Sequence, residues 1–164
     1  MKKASMTRSV WFLALIAVLL VTSPVWAEDR TVKEGDVIEI HYTGKLKDDT
    51  VFDKSEGRDP LKFTVGTEQI ISGMNKAVMG MKVGESKTVT MVPDEAYGPY
   101  NDKLVFQIEK SKLPPQVQSG SQLMDGQGNI VTVKDIQGEM ATLDANHMLA
   151  GKTLIFDIKL VSIQ

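Results

Sequence analysis

The chain has 164 residues, 42% hydrophobic and 24% charged, with 19 basic and 21 acidic side chains and no cysteine. That mildly acidic balance offers no basic surface whose counterion release could drive nucleic-acid binding, so nucleic acid is excluded as an expected partner. The lack of cysteine excludes a disulfide framework, and stability has to come from an apolar core.

At the start of the chain, Lys2, Lys3 and Arg8 precede the apolar run Val10 to Val21, and Val25-Trp26-Ala27 offers a small-residue cleavage site. This is the layout of a secretory signal peptide. The run has 12 residues, whereas a membrane-spanning helix needs about 20. Residues 1–27 are therefore expected to direct export to the periplasm or beyond and to be cleaved after Ala27. With 16 basic and 21 acidic side chains, residues 28–164 are expected to be a soluble monomer without stable membrane insertion.

Val37 to Thr43 alternates with period two: Ile38, Ile40 and Tyr42 share one face, and Glu39, His41 and Thr43 the other, as in a half-buried strand. Asp48-Asp49 punctuates the chain before Val51-Phe52-Asp53. That segment, Leu61 to Val65 and Ser86 to Val92 read as further strands between turn residues. Ile71 to Met81 places Met74, Ala77, Val78 and Met81 at helical spacing, with Ser72 near the start and Gly80 and Gly84 near the end. Thr153 to Ile163 closes the chain with Leu154, Phe156, Ile158 and Leu160 on one face. The pattern predicts an α+β fold, an antiparallel sheet carrying one short helix.

Between the Ala96-Tyr97-Gly98 turn and the run beginning at Asn146 lies a 47-residue excursion, Pro99 to Ala145. Structureless connections beyond about 12–15 residues are uncommon, so this one is expected to fold or to carry a function. Leu104 to Ile108, Ser121 to Met124, Ile130 to Ile136 and Met140 to Leu143 are strand-like, the last two flanking Gln137-Gly138 as a hairpin would. Asp125 to Asn129 lacks the further acidic ligands and terminal glutamate of an EF-hand loop and reads as a turn. Two isolated histidines, His41 and His147, do not make a metal site. Neither a metal nor a cofactor is expected.

The strings G-D-V-I-E-I-H-Y-T-G-K-L (Gly35 to Leu46), V-F-D-K-S (Val51 to Ser55), F-T-V-G (Phe63 to Gly66), I-I-S-G-M (Ile70 to Met74), G-M-K-V-G-E (Gly80 to Glu85) and P-D-E-A-Y-G (Pro93 to Gly98) stand in this order. Together they resemble the FKBP-type peptidyl-prolyl cis/trans isomerases. N-H-M-L-A-G-K-T-L-I-F-D-I-K-L (Asn146 to Leu160) resembles their closing strand in the SlyD-like branch, which inserts a chaperone domain in the flap at this point. The resemblance implies an FKBP-like antiparallel sheet wrapped on one short helix, built from residues 28–98 and 146–164, with a small, mostly-β inserted chaperone domain at 99–145. It implies a prolyl pocket lined by Tyr42, Phe52, Phe63, Ile70, Ile71 and Met74, with Tyr97, Asp53 and Phe156 as the catalytic group. Tyr97 hydroxyl and the Ile71 N–H match family groups that hydrogen-bond peptide carbonyls. Met74 stands where many members carry tryptophan, which implies a softer pocket and weaker macrolide binding. Many SlyD-like proteins add a histidine- and cysteine-rich tail; here Ser162-Ile163-Gln164 ends the chain directly after the last strand, and nickel handling is not expected.

Such chemistry needs neither nucleophile nor cofactor. Rotation about an X–Pro bond faces an amide-resonance barrier of about 18–20 kcal/mol. The twisted transition state has lost resonance, so its carbonyl oxygen carries less negative charge and leaves water more easily than the planar ground state. An apolar cleft therefore favours the twisted form differentially, and a donor such as Tyr97 can hold the peptide near it. Asp53 either polarises the prolyl amide or accepts a hydrogen bond from Tyr42 and shapes the wall; the cost of an unpaired carboxylate in an apolar cleft favours the second. The expected function is isomerisation and chaperoning of proline-containing peptides and unfolded exported proteins, with Leu104, Val105, Phe106, Leu123, Met124 and Val131 as candidate client contacts. A holdase with a vestigial prolyl pocket is the alternative.

Overall fold

The computed structural model describes residues 30–164; the expected signal peptide at 1–27 lies outside the described residues. The first sheet contains β1 (Val37–Leu46), β2 (Val51–Lys54), β3 (Leu61–Thr64), β4 (Ser86–Met91) and, from the far end of the chain, β9 (Leu154–Ile163). Its order is β2-β1-β9-β4, with β3 also paired to β1. Every pairing is antiparallel. The β1–β9 pair forms the middle. Alternation supplies the inner face, where Ile38, Ile40, Leu154 and Leu160 are fully buried and Ile158 nearly so.

Alternation alone would send Ile163 to the face opposite Leu160. The register shifts once, however: Ile40 pairs with Leu160, Glu39 with Ser162 and Ile38 with Ile163. Val161 is the extra residue of a bulge, and Ile163 returns to pack against the core.

Helix α1 (Ser72–Val78) lies on the inner face and buries Gly73, Met74, Ala77 and Val78. It is shorter than the predicted 71–81. The backbone leaves the helix at Met79, with ψ 129°, and Gly80 at φ +76° completes the turn that follows. Met81 reaches the core by another route, because its carbonyl accepts the Val32 N–H at 3.0 Å while Gly80 N–H donates to Val32 carbonyl at 2.9 Å. At Gly73 a side chain would come within 2.7 Å of Met91 Sδ and 3.0 Å of Glu95 carbonyl oxygen, so glycine is what lets the helix lie against the end of β4.

Residues 105–144 form a second sheet, again antiparallel. Its strands are β5 (Val105–Glu109), β6 (Gln122–Met124), β7 (Ile130–Gln137) and β8 (Met140–Asp144), in the order β5-β8-β7-β6. Gln137 pairs with Met140 across the predicted hairpin, and Gly138 at φ +58° is the residue a two-residue primed turn calls for. Val131, Val133 and Leu143 form a small core of their own with Ile108, Leu113, Val117, Leu123 and Ile136 packed around it. Asp125 closes its turn by accepting the N–H groups of Gln127 and Asn129, each at 2.8 Å.

The chain passes between the sheets twice, and the two passes are laced together. Gly151 N–H donates to Gly98 carbonyl at 2.8 Å and Ala145 N–H to Leu104 carbonyl at 3.0 Å. Between them, Asn146 accepts the Asn101 N–H at 2.9 Å and returns a donation to Asn101 carbonyl at 3.0 Å. Tyr100 hydroxyl donates to Asp144 at 2.6 Å, and Lys134 donates to that hydroxyl at 3.0 Å.

Candidate active site

The apolar residues picked out in the sequence come together on the helix side of the first sheet. Phe156 enters from the central strand β9 and is 4% exposed. Its ring meets Phe52 edge-on at 5.7 Å and Tyr42 at 6.2 Å, tilted by 54°. Met74 from α1 and Phe63 from β3 are buried in the same cluster, with Tyr42, Phe52, Ile70 and Ile71 half-buried around them. Three side chains thus make a floor and four make walls.

Gly44 is a residue that the sequence reading passed over. A side chain there would lie 2.6 Å from the Phe52 ring and 3.0 Å from Phe156, so the two rings close directly over the bare backbone. Gly44→Ala is expected to force these rings apart and cost about 1–3 kcal/mol, the usual penalty of overpacking. A urea denaturation midpoint measures it.

Asp53 is at the polar rim. Tyr42 hydroxyl donates to its Oδ2 at 2.5 Å, while Arg58 and the Lys54 N–H donate to Oδ1 at 2.6 and 2.9 Å. Arg58 also donates to the Lys54 carbonyl. Both carboxylate oxygens are therefore occupied by the protein. The Tyr42 hydrogen bond and then Arg58 hold the Asp53 carboxyl below its usual range against an opposing effect of burial. Burial first, and then Asp53, push the Tyr42 phenol up to about 12.

A lowered carboxyl pKa means that the folded state favours the ionised form. Its contribution is present above the ordinary aspartate value of about 3.9 and is lost as pH falls through the depressed folded value. Asp53→Asn should therefore flatten the acid limb of the stability curve below about pH 4, a small effect because the side chain is 45% exposed. Denaturation midpoints across the acid range test it; an unchanged slope would contradict the assignment.

Tyr97 is 38% exposed, and burial of its ring, followed by the charge of Asp53, raises its pKa. Among the described residues neither its hydroxyl nor the Ile71 N–H has a hydrogen-bond partner. Both donors are therefore free, Ile71 packed against the cluster that holds the floor and Tyr97 within reach of the Asp53 charge at the rim. His147 stacks on the Tyr97 ring, a contact with no sequence signal because the partners are 50 residues apart. Arg58 was equally hidden, in a Ser55 to Asp59 stretch that reads only as a polar turn.

A concavity of about 500 Å³ opens on the opposite face of the first sheet, among His41, Thr43, Ser55, Thr88, Asp157 and Lys159. Its polar groups serve one another: His41 Nδ1 lies 3.0 Å from Ser55 Oγ, and Thr88 and Lys45 both donate to Asp157 at 2.6 Å. None of the apolar residues Phe52, Phe63, Met74 and Phe156 lines this concavity. Among the described residues no group of three or more histidine, cysteine, aspartate or glutamate side chains could hold a metal.

The expected client contacts divide. Leu104, Phe106 and Met124 are exposed at 41%, 43% and 74%, and Val105 is half-buried. Val131, at 5%, is instead a core residue, and Leu123 packs on that core. Leu123 pairs with Val131, whereas Met124 pairs with Ile130 on the opposite face. Leu123 is half-buried, as Val105 is, and Ile130 and Met140, exposed at 58% and 40%, are further accessible apolar residues of this sheet.

An antiparallel sheet wrapped on one short helix, with the aromatic cluster of Phe156, Phe52 and Tyr42 packed together, is an FKBP-like α+β fold. The family model for FKBP-type peptidyl-prolyl cis-trans isomerases matches residues 28–161, and the chain belongs to that family. It is 32% identical to a short-type peptidyl-prolyl cis-trans isomerase of Methanocaldococcus jannaschii, over 81% of this chain and 94% of that one. It is 36% identical to the FKBP-type peptidyl-prolyl cis-trans isomerase SlyD of Treponema pallidum, over 78% and 76%. An FK506-binding protein 2 of Yarrowia lipolytica is 39% identical but spans only 49% of this chain and 62% of its own. The chain is thus a SlyD-like prolyl isomerase.

Proposed function

We propose that this isomerase serves exported clients as a monomer, with residues 99–145 capturing unfolded chains and residues 28–98 and 146–164 isomerising their X–Pro bonds. The observation that supports the catalytic half is a pair of free donors, the Ile71 N–H beside the cluster of Phe156, Phe63 and Met74 and the Tyr97 hydroxyl of a ring near the charge of Asp53. The prolyl ring rests on the floor. The donors take peptide carbonyls and hold the chain in a turn from which the amide twists. The half-buried rings of Tyr42 and Phe52 withdraw the amide carbonyl from water, which costs the twisted state less than the planar one.

Asp53 works through Tyr42 in this scheme. Its carboxylate is fully paired, so it fixes the Tyr42 ring in the wall and leaves the prolyl amide alone. Arg58 shares that task.

The capture half is supported by the apolar groups left exposed on the second sheet, Phe106, Met124, Ile130 and Met140. Such surface suits loosely specific binding of unfolded chain, and methionine adapts to varied partners.

A protease-coupled assay on a proline tetrapeptide tests the catalytic assignment. Tyr97→Phe is expected to lower kcat/KM about 10-fold, the worth of one hydrogen bond made in the transition state. Asp53→Ala should lower it less. Turnover at the parent rate by Tyr97→Phe would remove the hydroxyl from the mechanism.

A further inference from the structure

Tyr97 and His147 lie face to face, with ring centroids 4.0 Å apart and planes within 2° of parallel. The two rings are held very differently. His147 sits in a tight turn in which Ala150 N–H donates to its carbonyl at 2.8 Å and Leu149 N–H donates to its Nδ1 at 3.2 Å. Leu149 itself is 6% exposed and belongs to the main core, so the turn is bolted to the body of the molecule. Because Nδ1 accepts a hydrogen bond, the neutral ring carries its proton on Nε2, and partial desolvation lowers its pKa.

Tyr97 has no comparable mounting. It follows Ala96 at φ −121°, ψ −108° and precedes Gly98 at φ +79°, and its hydroxyl is free among the described residues. Its backbone is tied through its neighbours: Ala96 N–H donates to Pro93 carbonyl at 3.0 Å, and Gly98 N–H donates to the same carbonyl while Gly98 carbonyl accepts from Gly151, both at 2.8 Å, so the ring itself is left without a polar anchor. A ring on such a turn has several rotamers open to it. The imidazole face selects one of them.

We propose that His147 is a positioning residue for prolyl isomerisation: its ring holds Tyr97 flat so that the Tyr97 hydroxyl is presented to the substrate carbonyl. The proposal rests on the reading of Tyr97 as the substrate-binding donor. It also assigns a reaction-related task to the return limb from the second sheet, since His147 follows directly on the Asn146 that pairs with Asn101. Without the stack, Tyr97 spends part of its time in rotamers that cannot donate, and the apparent activity falls by the fraction lost.

The experiment is a double-mutant cycle, reading kcat/KM on a proline tetrapeptide for the parent, Tyr97→Phe, His147→Ala, His147→Phe and the Tyr97→Phe/His147→Ala pair, with thermal denaturation of each. His147→Ala is expected to lower kcat/KM about 5-fold, within the range of one aromatic contact. His147→Phe, flat but without ring nitrogens, should recover most of that loss. In the Tyr97→Phe background, His147→Ala should add less than about 2-fold, because no hydroxyl remains to be positioned. Fully multiplicative losses, or no recovery with phenylalanine, overturn the proposal. If Tyr97→Phe is slow while His147→Ala matches the parent, positioning alone fails. If Tyr97→Phe itself matches the parent, the Tyr97 assignment fails and takes the proposal with it. His147→Leu, bulky but not flat, replaces the alanine variant should that not fold.

Discussion

Phe156→Ala is expected to cost about 3–5 kcal/mol of folding stability, the range for truncating a buried phenylalanine, and to remove measurable isomerisation even where the variant remains folded. The stability loss follows from its place on the middle strand, 4% exposed and in contact with the Phe52 and Tyr42 rings. Each such aromatic pair adds about 0.5–1.5 kcal/mol beyond burial. Small domains hold only about 5–15 kcal/mol in total, so one side chain commands a large share. The activity loss follows because the same ring is the floor on which the prolyl ring would rest. Urea denaturation gives the first quantity, and tetrapeptide turnover in the absence of denaturant gives the second. Phe156→Leu separates them: it keeps most of the apolar volume, should cost about 1.5 kcal/mol or less, and should still turn over slowly. A stable and fully active Phe156→Ala would place the site elsewhere.

The other large effect concerns residues 99–145. Removing them and joining Gly98 to Asn146 through a short glycine linker is expected to leave tetrapeptide turnover within about 2-fold, because no floor or wall residue is lost. The junction is suited to it, since Gly98 already receives a hydrogen bond from Gly151 at 2.8 Å and Tyr97 already touches His147. On an unfolded protein substrate the same deletion should lower kcat/KM about 100-fold, the lower end of what tethering a client beside a second site contributes. Parallel assays on the two substrates decide the matter. Equal losses on both would show that the segment supports the body and captures nothing.

Period two and turn residues were enough to find all nine strands of the two sheets, because each inner face is a run of alternate apolar residues. They failed where alternation was broken or doubled. The bulge at Val161 leaves no mark in composition. At Leu123-Met124 and Ile130-Val131 both faces are apolar, so alternation separates neighbours without saying which of them is inside. The grouping of the candidate site's apolar residues was legible through motif order, and so was the hydrogen bond from Tyr42 to Asp53, but two further polar partners were not. Arg58 reaches Asp53 from five residues away on a loop, and His147 meets Tyr97 only because the chain doubles back. Such contacts depend on tertiary path, which no local pattern encodes.

The central position of β9 has a consequence for the order in which the molecule is assembled. β9 is the last strand to be synthesised, yet it divides β1 from β4 and pairs with both. Its partners on β1 lie 108 or more residues earlier in the chain, from Leu46 with Leu154 to Ile38 with Ile163. The second sheet, by contrast, is complete at Asp144, and its β7–β8 hairpin closes over two residues. Local pairings form faster than distant ones, and chains emerge N-terminus first. The emerging protein therefore passes through an interval in which 105–144 is folded while the first sheet stands open, its apolar face waiting for the final strand. On the capture role proposed for residues 99–145, the first unfolded chain that the second sheet meets in that interval is the unfinished first sheet of its own molecule.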